Sequence, residues 1–197
     1  DPGKRAAILD AAKRMFVTHG FDGVSMDQIA SEAGVSKLTV YSHFGDKESL
    51  FGEAVRAHCE AGMPASLFEA DPTMPLRERL TSIGRAFFAM VMTPEAIAGH
   101  RILCSPQVAT SAMPEVFWKA GPQRVQQAFT ELLERRIAAG ELDIDDIERA
   151  AAQFFTLLKG EEHAKAVFGY CCGRRQDTPE EHVDAVVELF LRAYARR

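Results

Sequence analysis

The sequence predicts an all-α protein, and three observations carry that prediction. Alternating β-branched runs are missing. Helix start and stop signals recur along the whole chain. Apolar residues return at the three- and four-residue spacing of a buried helical face. With 197 residues, 47% of them hydrophobic, the chain can fill one large core or two modest ones. The longest apolar run, Ala86 to Met92, is too short to span a bilayer. No signal peptide is legible. Four irregularly spaced cysteines (Cys59, Cys104, Cys171 and Cys172) do not form a disulfide framework, so a cytoplasmic chain with reduced thiols is expected. The chain starts at Asp1 rather than at Met, so a few upstream residues are expected to precede it.

The elements follow in order. Ile8, Ala12, Met15, Phe16 and His19 keep helical spacing, and Gly20 closes that segment. Ser25 and Gln28 form a capping box ahead of Met26, Ile29 and Ala30. Ser36 caps a short helix to about Phe44, and Asp46 caps the next, from Lys47 to about Ala61. The first 62 residues therefore read as four helices, the middle two short. The Pro-containing stretch Gly62 to Pro75 is a joint. Leu76 to Met92 is a helix with Leu80, Ile83, Phe87, Phe88 and Met90 on its apolar side. Thr93-Pro94-Glu95 starts another helix, expected to reach about Gln107. A long helix, bent at Gly121-Pro122, is expected from Pro114 to Ala139. Asp145 with Glu148 starts a helix running to about Gly160, and Thr178-Pro179-Glu180-Glu181 starts the last, to about Arg196.

The segment from Ile29 to Phe44 holds the most informative chemistry. Gly34 allows a sharp turn between two short helices, Ala30 is small at their crossing, and Val35 and Val40 pack inward. This is the spacing of a helix-turn-helix, whose second helix enters the major groove of DNA. Here that helix offers Ser36, Lys37, Thr39 and Ser42, with Tyr41 and His43 toward its flanks. Residues 1–62 hold seven Lys/Arg against nine Asp/Glu, yet Gly34 to Phe44 contains no acid and one lysine, so the footprint is expected to be local. Lys4 and Arg5 are expected to assist from the N-terminus.

On these residues the chain resembles the DNA-binding domain of the TetR family of bacterial transcriptional regulators. The matching positions are Ile8, Ala11, Ala12, Phe16, Gly20, Phe21, Val24 and Ser25, then Ile29-Ala30, Ala33-Gly34-Val35-Ser36, Val40-Tyr41, His43-Phe44, Lys47 and Leu50-Phe51. The segment Phe87 to Gly160 resembles a C-terminal type called AefR-like, in Gly121-Pro122, Gly140-Glu141-Leu142 and Leu157-Leu158-Lys159-Gly160. The resemblance implies that Tyr41, His43 and Lys47 hold phosphates with help from Ser25, while Lys37 and Thr39 read base edges. Position 38 is usually small in the family; Leu38 here either touches a thymine methyl or packs. Position 42 often holds a larger side chain, and here it is Ser42.

The resemblance also implies a three-part organisation: a helix-turn-helix domain over 1–46, a linking helix over 47–62, and a larger helical effector-binding and dimerisation domain over 63–197. Phe87, Phe88, Met90, His100, Cys104, Phe117, Trp118, Phe154 and Phe155 fall on helices that surround a ligand cavity in the family, suiting a hydrophobic effector. Arg101 and Gln107 are further polar candidates. The dimer interface is expected on the last helices, at Phe155, Val183, Val186, Val187, Phe190 and Tyr194. The expectation is a homodimeric repressor that binds double-stranded operator DNA and is released by a small-molecule effector. It has no cofactor, no metal and no membrane partner, and no catalytic constellation is present. A thiol-responsive regulator using Cys171 and Cys172, or Cys104, is the alternative.

Overall fold

The computed structural model describes residues 1–69, 71, 73–170 and 178–196. Among them, regular structure is helical apart from one isolated antiparallel bridge between Leu142 and Ala195. The helices are α1 (Pro2–His19), α2 (Met26–Glu32), α3 (Lys37–Phe44), α4 (Lys47–Gly62), α5 (Leu76–Val91), α6 (Pro94–Leu103), α7 (Pro106–Ala109), α8 (Met113–Ala120), α9 (Pro122–Ala138), α10 (Ile147–Phe168) and α11 (Pro179–Tyr194). A single 3₁₀ turn, Ala65–Leu67, lies between α4 and α5.

The expected caps are made. Ser25 Oγ accepts from the Gln28 amide and the Gln28 side chain reaches back to Ser25. Thr178 and Glu181 repeat that box at the start of α11. Thr93 Oγ1 accepts from the Ala96 amide at 3.2 Å, and Asp46 Oδ1 from the Ser49 amide at 2.7 Å. The start of α10 is one residue later than the sequence indicated: Asp146 accepts from the Arg149 amide at 3.0 Å.

Three helix ends differ from expectation. The helix from Pro94 stops at Leu103, because Pro106 has no amide hydrogen to continue the ladder; it starts the four-residue α7 instead. The helix expected over 114–139 is two helices, since Gly121 sits at φ −122° and ψ −82° and Pro122 opens α9. By contrast, α10 does not end at Gly160. It kinks there, with φ 57° and ψ −164°, and continues to Phe168. The kink frees the Leu158 carbonyl, which accepts a hydrogen bond from His182 Nε2 at 2.9 Å. A Cβ on residue 160 would lie 3.2 Å from the His182 ring, so glycine is needed there for conformation and for space.

The chain forms two compact units. The first comprises Asp1–His58 and Thr93–Pro122, the second Cys59–Met92 and Gln123–Arg197. The first is built on Ile8, Phe16, Ile29, Val40, Leu50 and Phe51, with Val108 and Met113 buried in the same cluster. That burial explains why residues 93–122, placed by sequence in the C-terminal part, pack as one unit with the N-terminal helices. Phe16, Phe21 and Phe51 meet one another at centroid distances of 5.6–5.8 Å. The second unit centres on Phe129, which stacks on Phe154 at 4.8 Å and meets Phe155 edge-on at 5.1 Å. Its 3₁₀ turn and the loop after it are held by guanidinium groups: Arg79 on the Ser66 and Leu67 carbonyls, Arg135 on Phe68, Arg136 on Met74.

Candidate nucleic-acid interface

The turn between α2 and α3 is set by Gly34, at φ 66°. A Cβ there would meet nothing within 4 Å, so the requirement for glycine is conformational rather than steric. The Val35 amide then donates to the Ala30 carbonyl at 3.0 Å, closing the end of α2. Ser36 caps α3, accepting from the Thr39 amide. Val40 and Phe44 are buried on the inner face of α3, while Ser36, Lys37, Leu38, Tyr41 and Ser42 are exposed on the outer one and Thr39 and His43 are half-buried. Sequence spacing thus produces a short helix with one face anchored and the other bare.

The polar side chains of that bare face are engaged within the motif. Thr39 Oγ1 and Ser36 Oγ share a hydrogen bond at 2.8 Å, and Ser42 Oγ donates to the Thr39 carbonyl at 2.9 Å. Lys37 Nζ lies 2.8 Å from Asp27 Oδ1 and sits over the Tyr41 ring at 5.8 Å. The Asp27 carboxylate raises the Lys37 pKa, chiefly through that hydrogen bond. Asp27 is the residue that sequence reasoning missed. The stretch from Gly34 to Phe44 carries no acid, but the fold brings one beside it from ten residues upstream. The signal was available only as an acid in the first turn of α2.

Ser25, Tyr41 and Lys47 line one surface crevice of about 420 Å³, together with Asp22, Gly23, Val24, Met26, Gln28 and Asp46. Three of the four expected phosphate-holding residues therefore come together at the start of α2, where backbone amides favour an anion. His43 lies outside the crevice, its ring 6.1 Å from that of Phe44. Asp46 is occupied as a cap, and the Ser49 amide holds its carboxyl below the usual range. Lys47 is already bonded: its ammonium donates to the Phe21 and Val24 carbonyls, each at 3.0 Å, and lies 4.2 Å from the Phe21 ring centroid. It closes the loop that presents the start of α2. Arg5, expected to assist at DNA, is instead ion-paired with Glu53 and lies over the Phe44 ring at 5.2 Å.

The residues expected to bind an effector do not fall in one unit. Phe87, Phe88, Met90, Phe154 and Phe155 are buried in the core of the second, where Phe87 meets Phe155 at 4.6 Å. His100, Cys104, Phe117 and Trp118 belong to the first. There the His100 and Phe117 rings pack at 5.5 Å, and Trp118 and Cys104 are exposed. Of the residues expected at the dimer interface, Phe155, Val183, Val186, Val187 and Phe190 are buried inside their own unit, with Tyr194 packed against them. An amphipathic stripe shows that a face is covered, not by which chain. The large apolar residues that α10 and α11 turn outward are Leu157, Phe168 and Leu189, 41%, 82% and 53% exposed. Cys171 and Cys172 lie outside the described residues.

Comparison with known proteins agrees with this geometry. Residues 8–54 match the profile described as bacterial regulatory proteins, tetR family. Residues 78–196 match that of the AefR-like transcriptional repressor, C-terminal domain. The HTH-type transcriptional activator FasR of Mycolicibacterium smegmatis is 27% identical over 132 residues, 67% of this chain. The match spans only 59% of that relative's length. A TetR-family structure from Mesorhizobium loti superposes with a TM-score of 0.81 at 30% identity, covering 98% of this chain and 97% of the other. The flavonoid-responsive regulator FrrA superposes with a TM-score of 0.75 at 30% identity over the whole of both chains.

Proposed function

This chain belongs to the TetR family of DNA-binding transcriptional regulators, and from that premise we propose that it acts as a homodimeric repressor released from its operator by a small, largely hydrophobic effector. The observation that carries the reading is α3 itself. Val40 and Phe44 fix its inner face, and its outer face presents short polar side chains and Leu38 beside a crevice lined by Ser25, Tyr41 and Lys47. In this reading Lys37 and Thr39 turn toward base edges on binding, while Ser25, Tyr41, His43 and Lys47 hold the flanking phosphates.

A homodimer places two α3 helices on half-sites about one turn of DNA, ~34 Å, apart. Leu157 and Leu189 supply the apolar contacts between subunits in this arrangement. The effector acts through differential affinity: it binds better to a state in which the two α3 helices no longer match successive major grooves. α4 is the lever, because it gives residues to both compact units. The buried rings Phe87, Phe88, Phe154 and Phe155 favour an apolar, aromatic effector, and the flavonoid response named for FrrA points to the same class. Phe155 packs on both Phe87 and Phe154, and Phe88 meets the His182 ring, so binding requires these rings to part.

In vitro transcription from the promoter upstream of the chain's own gene tests this reading. The protein is expected to suppress the transcript, and a flat aromatic effector to restore it. Stimulation of the transcript, or suppression that no hydrophobic compound in a flavonoid and fatty-acid panel relieves, contradicts it.

A further inference from the structure

The hydroxyls of Ser36, Thr39 and Ser42 and the ammonium of Lys37 all have partners inside the motif. Leu38 stands apart from them. It is 78% exposed, the most exposed large apolar side chain of the first unit. Isolated exposed leucines are common on protein surfaces, so exposure alone decides nothing. Position does. At about 100° per residue, Leu38 lies about 200° and about 240° round α3 from the buried Val40 and Phe44. It therefore occupies the middle of the outward face, in the first turn, where a groove-entering helix meets base edges. Ser42 lies one turn along the same face, is small, and has its hydroxyl turned back to the Thr39 carbonyl. Nothing bulky on that face keeps the leucine methyls from the groove floor. The one apolar group a major groove offers at a base edge is the C5-methyl of thymine.

We propose that Leu38 is a specificity-determining residue that meets a thymine C5-methyl in each half-site of the operator. The inference rests on the reading of α3 as the DNA-reading helix. It gives Leu38 a role that the packing of the first unit does not require, since the side chain is absent from that unit's core.

Deoxyuridine tests the contact directly, because it differs from thymine only by that methyl. The full chain is titrated by fluorescence anisotropy against a duplex from upstream of its own gene, with each thymine replaced singly by deoxyuridine. Burying one methyl corresponds to about a fourfold change in affinity, and both half-sites together to about fifteenfold. One thymine per half-site is expected to show that loss for the native chain and for Leu38→Met. Leu38→Ala is expected to bind more weakly and to ignore the replacement at that position. Native binding indifferent to every replacement overturns the assignment of Leu38 while leaving DNA binding intact. So does a Leu38→Ala chain that keeps the native sensitivity. Absence of a saturable complex with any upstream duplex overturns the DNA-reading assignment itself, and this inference with it.

Discussion

Replacing Lys47 with methionine removes a charge while keeping most of the side chain's length. The ammonium makes two hydrogen bonds of 3.0 Å to the Phe21 and Val24 carbonyls and lies 4.2 Å from the Phe21 ring centroid. The side chain is half-buried, so water replaces part of what is lost. With about 1 kcal/mol for each hydrogen bond and about 0.5 kcal/mol for the ring contact, the variant is destabilised by about 2.5 kcal/mol. For a chain of this size that lowers Tm by roughly 5–10 °C. The two carbonyls belong to the loop that presents Ser25 and the start of α2, so the loss also loosens the start of that helix. An ammonium has three N–H groups, and one remains for a phosphate. Circular dichroism melts and the salt dependence of operator binding separate the two roles. Both a lower Tm and a slope of log K against log [salt] shallower by about 0.9 are expected. An unchanged Tm refutes the structural clamp. An unchanged slope removes Lys47 from the phosphate contacts.

Three further outcomes are open to measurement. Gly34→Ala places a side chain at φ 66° with open space around it, so its cost is conformational, about 1–2 kcal/mol in a urea melt; a neutral change contradicts the left-handed turn. Leu189→Glu is expected to give a folded monomer in sedimentation velocity, because Leu189 is exposed, whereas Val187→Glu, wholly buried, unfolds the second unit; a dimeric Leu189→Glu chain moves the interface elsewhere. Burial, with help from the Glu60 carboxylate, pushes the Cys59 thiol up to about 11. At pH 8 about one Cys59 thiol in a thousand is ionised. Iodoacetamide mapped by mass spectrometry should therefore label the exposed Cys104 before Cys59, with Cys59 labelling rising about tenfold per pH unit; equal rates at pH 8 contradict that placement.

What the sequence made legible is what is local. Ala30, Gly34 and Val40 lie within eleven residues, and their sizes alone dictate a turn between two short helices. The caps at Ser25, Ser36, Asp46, Thr93 and Thr178 were equally readable, because each bond joins residues three apart. What depends on distant partners was not. Nothing near Lys37 predicts its pairing with Asp27, and nothing near Gly160 predicts that His182, 22 residues on, meets it and takes the Leu158 carbonyl. The stripe on α11 was visible, but periodicity carries no information on which chain covers it. The residues expected to bind an effector divide between units because Val108 and Met113 bury themselves against the N-terminal helices, a long-range packing choice. Leu38 was ambiguous between filling space and facing out, and its exposure decides that question.

A sequence-specific DNA reader formed by α2 and α3 must discriminate between duplexes. The most direct measurement is the affinity of the full chain for the duplex upstream of its own gene, against a random duplex of equal length, across a salt series. Saturable binding of two chains per site is expected, tighter for the upstream duplex by about a thousandfold or more and steeply weakened by salt. Equal affinity for both duplexes at every salt concentration contradicts it.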